Sequence, residues 1–429
     1  MAQAPVPETS APPGSKKTDF GWRLRGTSVT VLEDRSFDLR DADRPAGSFL
    51  AGYCSDITTL QTCLQCGACT ASCNLAEEGS LFPRLEMTLV QMGLRERLLA
   101  DPNVWHCYNC GDCSRRCPGS AKPGRVMAAV RHMATERFAF PGFLARAVNQ
   151  VRWLWLVVLV PVLLLLGAIA VGGSFRPSAH PVRFASLLPH LTLNLFFFGF
   201  TALALAVIVA GLGRAWRAWR GERLRQARPW PFLRALGGAV VEILTHRKFG
   251  DCEGDRGKRW AHLGLFYGFV GLFALSGVVV VLLLAGQAHP LSALHPLKIL
   301  GNLFALLLIG GGLYLLRQRW LETRDDDRST HFDWAFLVDV LLVGITGVLT
   351  EAFRFADWPA LAYPIYFVHL VFIFLLLVLL PYSKFAHVAY RTLAVTARRY
   401  DALGRKRGAV AEEQLPARGE RRASPREPT

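Results

Sequence analysis

Eight of the ten cysteines stand in two runs of identical spacing. "CLQCGACTASC" places Cys63, Cys66, Cys69 and Cys73 as C-x2-C-x2-C-x3-C, and "CYNCGDCSRRCP" repeats the pattern with Cys107, Cys110, Cys113 and Cys117 before Pro118. In this arrangement three closely spaced thiolates wrap one face of a 4Fe-4S cubane while the fourth is carried away to a second cubane. The spacing therefore predicts two 4Fe-4S clusters with crossed ligands. One takes Cys63, Cys66, Cys69 and Cys117; the other takes Cys107, Cys110, Cys113 and Cys73. Zinc fits less well, because zinc ribbons use paired thiols without this third and fourth spacing. Gly67 and Gly111 fall where the backbone must approach a cluster closely. Cys54 and Cys252 lie outside both runs and read as ordinary cysteines.

The scaffold around these thiols reads as helical. Between the runs, "LFPRLEMTLVQMGLRERLL" carries Leu85, Leu89 and Met92 at helical spacing. After the second run, "KPGRVMAAVRHMATERF" echoes the Pro, Arg, Met and Val order of "FPRLEMTLV". Residues 46–140 thus form two motif-plus-helix halves, an all-α two-cluster ferredoxin-like domain. Residues 1–45 open with "MAQAPVPETSAPPGSKK", a Pro-, Ala- and Ser-rich disordered tail without the apolar stretch of a signal peptide. That places the cysteine module in the cytoplasm, where thiols serve as metal or redox groups more often than as structural disulfides.

Beyond residue 150 the chain changes character. Of its 429 residues 52% are hydrophobic, more than one soluble core needs. Six spans emerge, over 151–173, 191–213, 260–286, 297–316, 333–352 and 361–381, each long enough for a bilayer core of about 30 Å. The net charge of +16 does not point to nucleic acid, since the Lys and Arg residues gather between apolar runs and not among aromatics on one face. They report topology. Arg214, Arg217, Arg220, Arg223, Arg225, Arg228, Lys258 and Arg259 crowd one loop, and Arg317, Arg319, Arg324 and Arg328 another, which makes those loops cytoplasmic. The expectation is a multi-pass protein of the inner (cytoplasmic) membrane with both termini inside: an all-α chain with a membrane domain over 150–392 and a charged tail over 393–429.

Clusters attached to membrane helices imply a second redox centre, and histidine is the usual axial ligand of a b-type haem. Intramembrane ionisable residues are costly and by default functional. Of eleven histidines, His262, His295, His369 and His387 fall within or at the ends of the spans. His369 and His387 are 18 residues apart, five turns or about 27 Å of one continuous helix, although Pro381 intervenes. Topology pairs His262 with His387 for an inner haem and His295 with His369 for an outer one. His246 competes on the inner side, and His180, His190 and His289 on the outer. Lys298 and Asp339 are further polar residues of the spans. No nucleotide fingerprint is present, so the electrons must be exchanged with a partner.

These residues carry a resemblance. The cysteine module resembles the C subunit of heterodisulfide reductase, while "HRKFGDCEGDRGKRWAHLGLFYGFVGLF", "HPLKILGN" and "YFVHLVFIFLLLVLLPYSKFAHVAYR" resemble its cytochrome b subunit and, more distantly, the gamma subunit of respiratory nitrate reductase. Their fusion over residues 50–392 resembles the membrane component, QmoC, of the quinone-interacting membrane-bound oxidoreductase (Qmo) complexes. The resemblance implies a di-haem cytochrome b domain and electron transfer between a menaquinone or ubiquinone pool and cytoplasmic flavoprotein and iron-sulfur partners like Qmo A and B. It also implies a setting in dissimilatory sulfur metabolism with adenylylsulfate reductase. The alternatives are a heterodisulfide-reductase-type or other respiratory subunit with a different cytoplasmic catalyst, and a cluster-bearing membrane anchor without haem. By the same resemblance His369, His387 and His262 match haem ligands. The fourth ligand position falls at Leu272, which cannot bind iron, and Asn74 replaces the Pro that often follows the first run.

Overall fold

The computed structural model of the protein describes residues 48–50, 52–54, 57–76, 80–220, 229–246, 248, 256–286, 291–324 and 331–413. The tail expected over 1–45, Cys252 and His289 lie outside them. Among the described residues the regular structure is all helical, as expected.

The N-terminal module contains α1 (Ala68–Ala71), α2 (Arg84–Gln91), α3 (Arg95–Leu99), α4 (Asp112–Arg115), α5 (Pro123–Phe138) and α6 (Gly142–Val148). There follow α7 (Leu154–Gly172), α8 (Phe184–Leu187), α9 (His190–Arg220), α10 (Pro229–Thr245), α11 (Arg256–Leu284), α12 (Pro296–Arg324), α13 (His331–Phe355), α14 (Pro359–Val378) and α15 (Ala386–Glu413). Proline opens α5, α12 and α14, where its fixed φ suits a first turn and its missing N–H leaves no bond unmade. Among the described residues six helices are long and apolar enough to cross a membrane, beginning at Val151, His190, Gly257, Pro296, Trp334 and Pro359. They coincide with the six expected spans.

The module is built onto the ends of these helices. Its core of Met87, Val90, Leu98, Trp105, Val126, Met127 and Met133 is continued by Ala215 of α9 and by Ala386, Tyr390 and Ala394 of α15. Trp105 stacks on Tyr390 with ring centroids 4.9 Å apart. Trp219 donates its indole N–H to Leu99 O at 3.2 Å, and Arg214 donates to Phe138 O and Ala139 O. One apolar core thus joins the thiol module to the ends of the membrane helices.

Three features differ from the sequence reading. The basic loop between the second and third spans contains α10. Residues 393–413, expected as tail, continue α15, with Val395, Thr396 and Ala397 buried. Finally, His369 and His387 do not share one helix. The last span ends at Val378, a single 3-10 turn over Leu380–Tyr382 carries Pro381, and a new helix starts at Ala386. A proline ring cannot donate to the turn before it, which is where the ladder breaks.

Candidate redox site

The two cysteine runs adopt the same backbone course. Gln65 and Asn109 both have φ of 55°, and the glycines two residues on, Gly67 and Gly111, have φ of 81° and 82°. Only glycine takes that left-handed conformation freely. Each glycine caps a one-turn helix, α1 or α4, that bears the third cysteine of its run. Cys63, Cys66, Cys69 and Cys117 line one cleft of ≈ 340 Å³, open solvent included, together with Arg84, Met87 and Gly119. The fourth cysteine of the second run therefore lies with the first three of the first run.

The converse set is visible in its electrostatics. Burial raises the Cys113 thiol to about 12, with Cys107, Cys110 and Cys73 adding to the rise. Burial raises Cys73 too, with Cys107 and Cys110 beside it, and Cys69, with Cys63 and Cys117 beside it. Thiols resist ionising together in a half-dry volume unless a cation shares their charge. Among the described residues no three His, Cys, Asp or Glu side chains are placed to hold a single metal ion. All-sulfur donor sets of this kind fit iron–sulfur clusters. The backbone is braced accordingly: Asn109 N–H points at Cys107 Sγ at 3.3 Å, and Gln91 donates to Leu60 O and Cys63 O at 2.7 and 3.3 Å.

The four histidines divide. At the module end, His262 on α11 and His387 near the start of α15 interact electrostatically, and His246, one residue past α10, has its ring centroid 5.4 Å from that of His262. His387 Nδ1 donates to Lys384 O at 2.6 Å, and His246 Nδ1 donates to Leu244 O at 3.3 Å. A ring held this way keeps Nε2 as a lone-pair donor, the usual arrangement of a metal-ligating histidine. Burial, with the His262 ring and the Lys384 and Arg391 charges, pushes His387 down to about 3, and burial also lowers His246. Both stay neutral, as ligands must. The module-end histidines therefore fit an axial haem pair.

His295 and His369 take different local partners. His369 lies ten residues into α14, about 15 Å along the helix, against Thr346 of α13. His295 stands just before α12, and one turn later Lys298 pairs with Glu351, five residues beyond Thr346, at 3.4 Å. The His295 ring accepts from Leu297 N–H through Nδ1 at 3.3 Å, closing the first turn of its own helix. Leu272 belongs to an apolar cluster with Leu308, Val340 and Leu376. His180 is tied to Asp357 at 2.9 Å.

Arg391 links the module-end histidines to the thiols. It lies one turn after His387 on α15, donates to His106 O at 3.2 Å and Cys107 O at 3.5 Å, and rests 3.5 Å from the centroid of the Tyr108 ring. Sequence reasoning missed it because it stands at the edge of a strongly basic C-terminal stretch.

Comparison with known proteins matches both parts. A 4Fe-4S dicluster domain family matches residues 59–121, and the citrate utilization protein B family matches residues 145–409. Citrate utilization protein B of Escherichia coli is 28% identical over 353 residues, 77% of this chain and 88% of that one. A protein of Archaeoglobus profundus that is itself described as like the C subunit of heterodisulfide reductase is 38% identical over 81 residues, 19% of this chain and 43% of its own length. The iron-sulfur C subunit of the CoB--CoM heterodisulfide reductase of Methanopyrus kandleri is 32% identical over 96 residues, 22% of this chain and 48% of its own. These two likenesses span less than half of either relative and bear out the resemblance read from the cysteine runs, which makes the chain an iron–sulfur electron-transfer component. Because one family match covers the greater part of the sequence, the chain belongs to the citrate utilization protein B family.

Proposed function

We propose that the chain is the membrane electron-transfer subunit of a quinone-linked oxidoreductase, working between a cytoplasmic flavoprotein and the membrane quinone pool and not catalytic alone. When bound, two 4Fe-4S clusters and a b haem supply one-electron chemistry. Cys63, Cys66, Cys69 and Cys117 hold one cluster; Cys73, Cys107, Cys110 and Cys113 hold the other. His262 and His387 hold the haem, with His246 against the first. The observation that carries the reading is the gathering of these three histidines at the end of the membrane helices that faces the second cysteine run. The basic loops lie at that end, which supports a cytoplasmic module and an inner-membrane location. The reading rests on the module-end pair, and the second haem expected at His295 and His369 is tested by the haem count.

The Qmo setting, with adenylylsulfate reductase, has no residue of its own to support it. The relative that matches most of the chain is named for citrate utilization, which favours the other respiratory alternative: a flavoprotein partner that oxidises a citrate-related carboxylic acid. The full-length chain purified from its native membrane tests both parts. Cubane EPR signals and a b-type reduced-minus-oxidised spectrum are expected, with haem reduced on adding the partner and its acid. A chain that carries clusters but no haem is a membrane anchor, and the reading fails.

A further inference from the structure

Arg391 spends its guanidinium on the carbonyls of His106 and Cys107 and on the face of Tyr108, not on a carboxylate. Its Nε–H is buried without an acceptor among the described residues. A cation so enclosed is costly unless an anion stands close by. Glu242 acts on it electrostatically, and the anion its hydrogen bonds reach is the thiolate set to which Cys107 belongs, a bound cubane with its four thiolates being anionic. On its other side Arg391 shares a helix face with His387, four residues before it, and acts electrostatically on His387, His262 and His246. Arg131 reinforces the same point of the loop, donating to Cys107 O at 2.5 Å.

The first thiol set has Arg84 of α2 in its cleft instead and faces outward. Cys66 is exposed, Leu64 beside it is 72% exposed, and the cleft of Cys63, Cys66, Cys69 and Cys117 opens to solvent. The two sets are thus inequivalent although their sequences and backbones repeat.

Resting on the function proposed above, we infer that the cluster of Cys73, Cys107, Cys110 and Cys113 is the one that exchanges electrons with the membrane part, with Arg391 the positioning residue that joins it to the inner histidines and compensates its charge. The cluster of the first set is then the outward one, facing the flavoprotein. One electron leaves the irons of the second set as one ferric haem iron becomes ferrous. It is replaced from the first set, and that in turn from the partner's reduced flavin. Pairs of such transfers with proton uptake reduce one quinone.

The test is a redox titration by EPR on the full chain in lipid nanodiscs, the second-set signal being the one that Cys113→Ala removes. Losing the positive charge stabilises the oxidised, less anionic cluster. Arg391→Gln should lower the second-set midpoint by about a decade in reduced-to-oxidised ratio, about 59 mV for one electron, and leave the first-set midpoint in place. Arg391→Lys should restore most of the shift. In the unaltered chain, ferric haem should accelerate spin relaxation of the second-set signal more than of the first. The inference is overturned by unchanged midpoints, by equal shifts of both signals, or by stronger relaxation of the first set. Loss of both clusters in Arg391→Gln and Arg391→Lys alike makes Arg391 a folding residue only and overturns it too. The midpoints are readable in a chain without haem, so this result and the functional reading fail separately.

Discussion

The Nδ1 of His369 lies 3.0 Å from Oγ1 of Thr346, and that hydroxyl already donates to Leu342 O at 2.5 Å, so the imidazole is the donor and the hydroxyl the acceptor. Gly347 makes the approach possible, since a Cβ there would meet His369 Cε1 at 3.0 Å. The pair joins α13 to α14 inside the apolar bundle. Interhelical hydrogen bonds of this kind contribute about 0.6 kcal/mol and at most about 1.7 kcal/mol. Thr346→Val should lower stability by that amount in a denaturant series in detergent, and leave the haem spectrum unchanged. A bleached haem band in Thr346→Val would place His369 on iron.

The inner histidines should behave differently. His262→Ala and His387→Ala are each expected to abolish the b-type spectrum, because an axial pair fails with either member. His295→Ala and His369→Ala should retain it, at about one haem per chain as for the unaltered protein. Pyridine haemochrome titration against iron content checks this. A content near two haems per chain, halved by His369→Ala, would restore the outer haem.

Legibility followed how local each signal is. Both cysteine runs were readable because every ligand spacing is contiguous in the chain, and their crossed pairing follows from cubane geometry. The spans were readable because hydropathy needs no partner. His246 was harder to rank, since its value depends on α10, an apolar helix inside an otherwise basic inter-span segment, bringing it to His262. Arg391 resembled one more basic residue before a tail, and only the packing of α15 against the module encloses it. His295 makes a related point. A histidine beside a span can end on the first turn of its own helix, which periodicity does not distinguish from a ligand.

The crossed thiols give asymmetric losses. Cys117→Ala should remove the EPR signal that Cys66→Ala also removes, while Cys73→Ala should match Cys110→Ala. The cleft shared by Cys117 with the first run argues for this pairing, as does the influence of Cys107 and Cys110 on Cys73. Cys117→Ala and Cys110→Ala giving the same spectrum would mean that each run closes its own site.

Glu86 sets a pH dependence in the module. It is wholly buried in α2, and burial, with Asp101 beside it, raises its carboxyl well above the usual 4.5. Above that ordinary value the unfolded chain loses its proton while the folded chain keeps it. The folded state then binds more protons, so stability falls as pH rises from about 4.5 toward the raised value. Glu86→Gln should remove this slope and stabilise the protein at neutral pH. Thermal unfolding followed by helical circular dichroism from pH 5 to 8 reads it, and an unchanged slope in Glu86→Gln would assign the dependence elsewhere.

Glu242 has the opposite environment. Burial alone would raise its carboxyl, but hydrogen bonds from Arg399 and the charges of Arg398 and Lys248 outweigh it and hold the group below its usual range. Arg398 donates at 2.9 Å, and Arg399 at 2.7 and 3.2 Å through its fork. This clasp fastens α15 to α10, and His246, one residue past α10, stands beside His262. Removing one partner of a buried pair costs about 3–5 kcal/mol, reduced here because Arg399 is 42% exposed and so partly screened by solvent. Glu242→Gln keeps the shape, leaves two arginines facing a neutral amide, and should loosen α10 from α15. The expected result is weaker haem retention through detergent purification with the cluster signals retained, since the clasp itself joins α10 and α15. Loss of iron before haem would mean that the clasp supports the module and not the histidines.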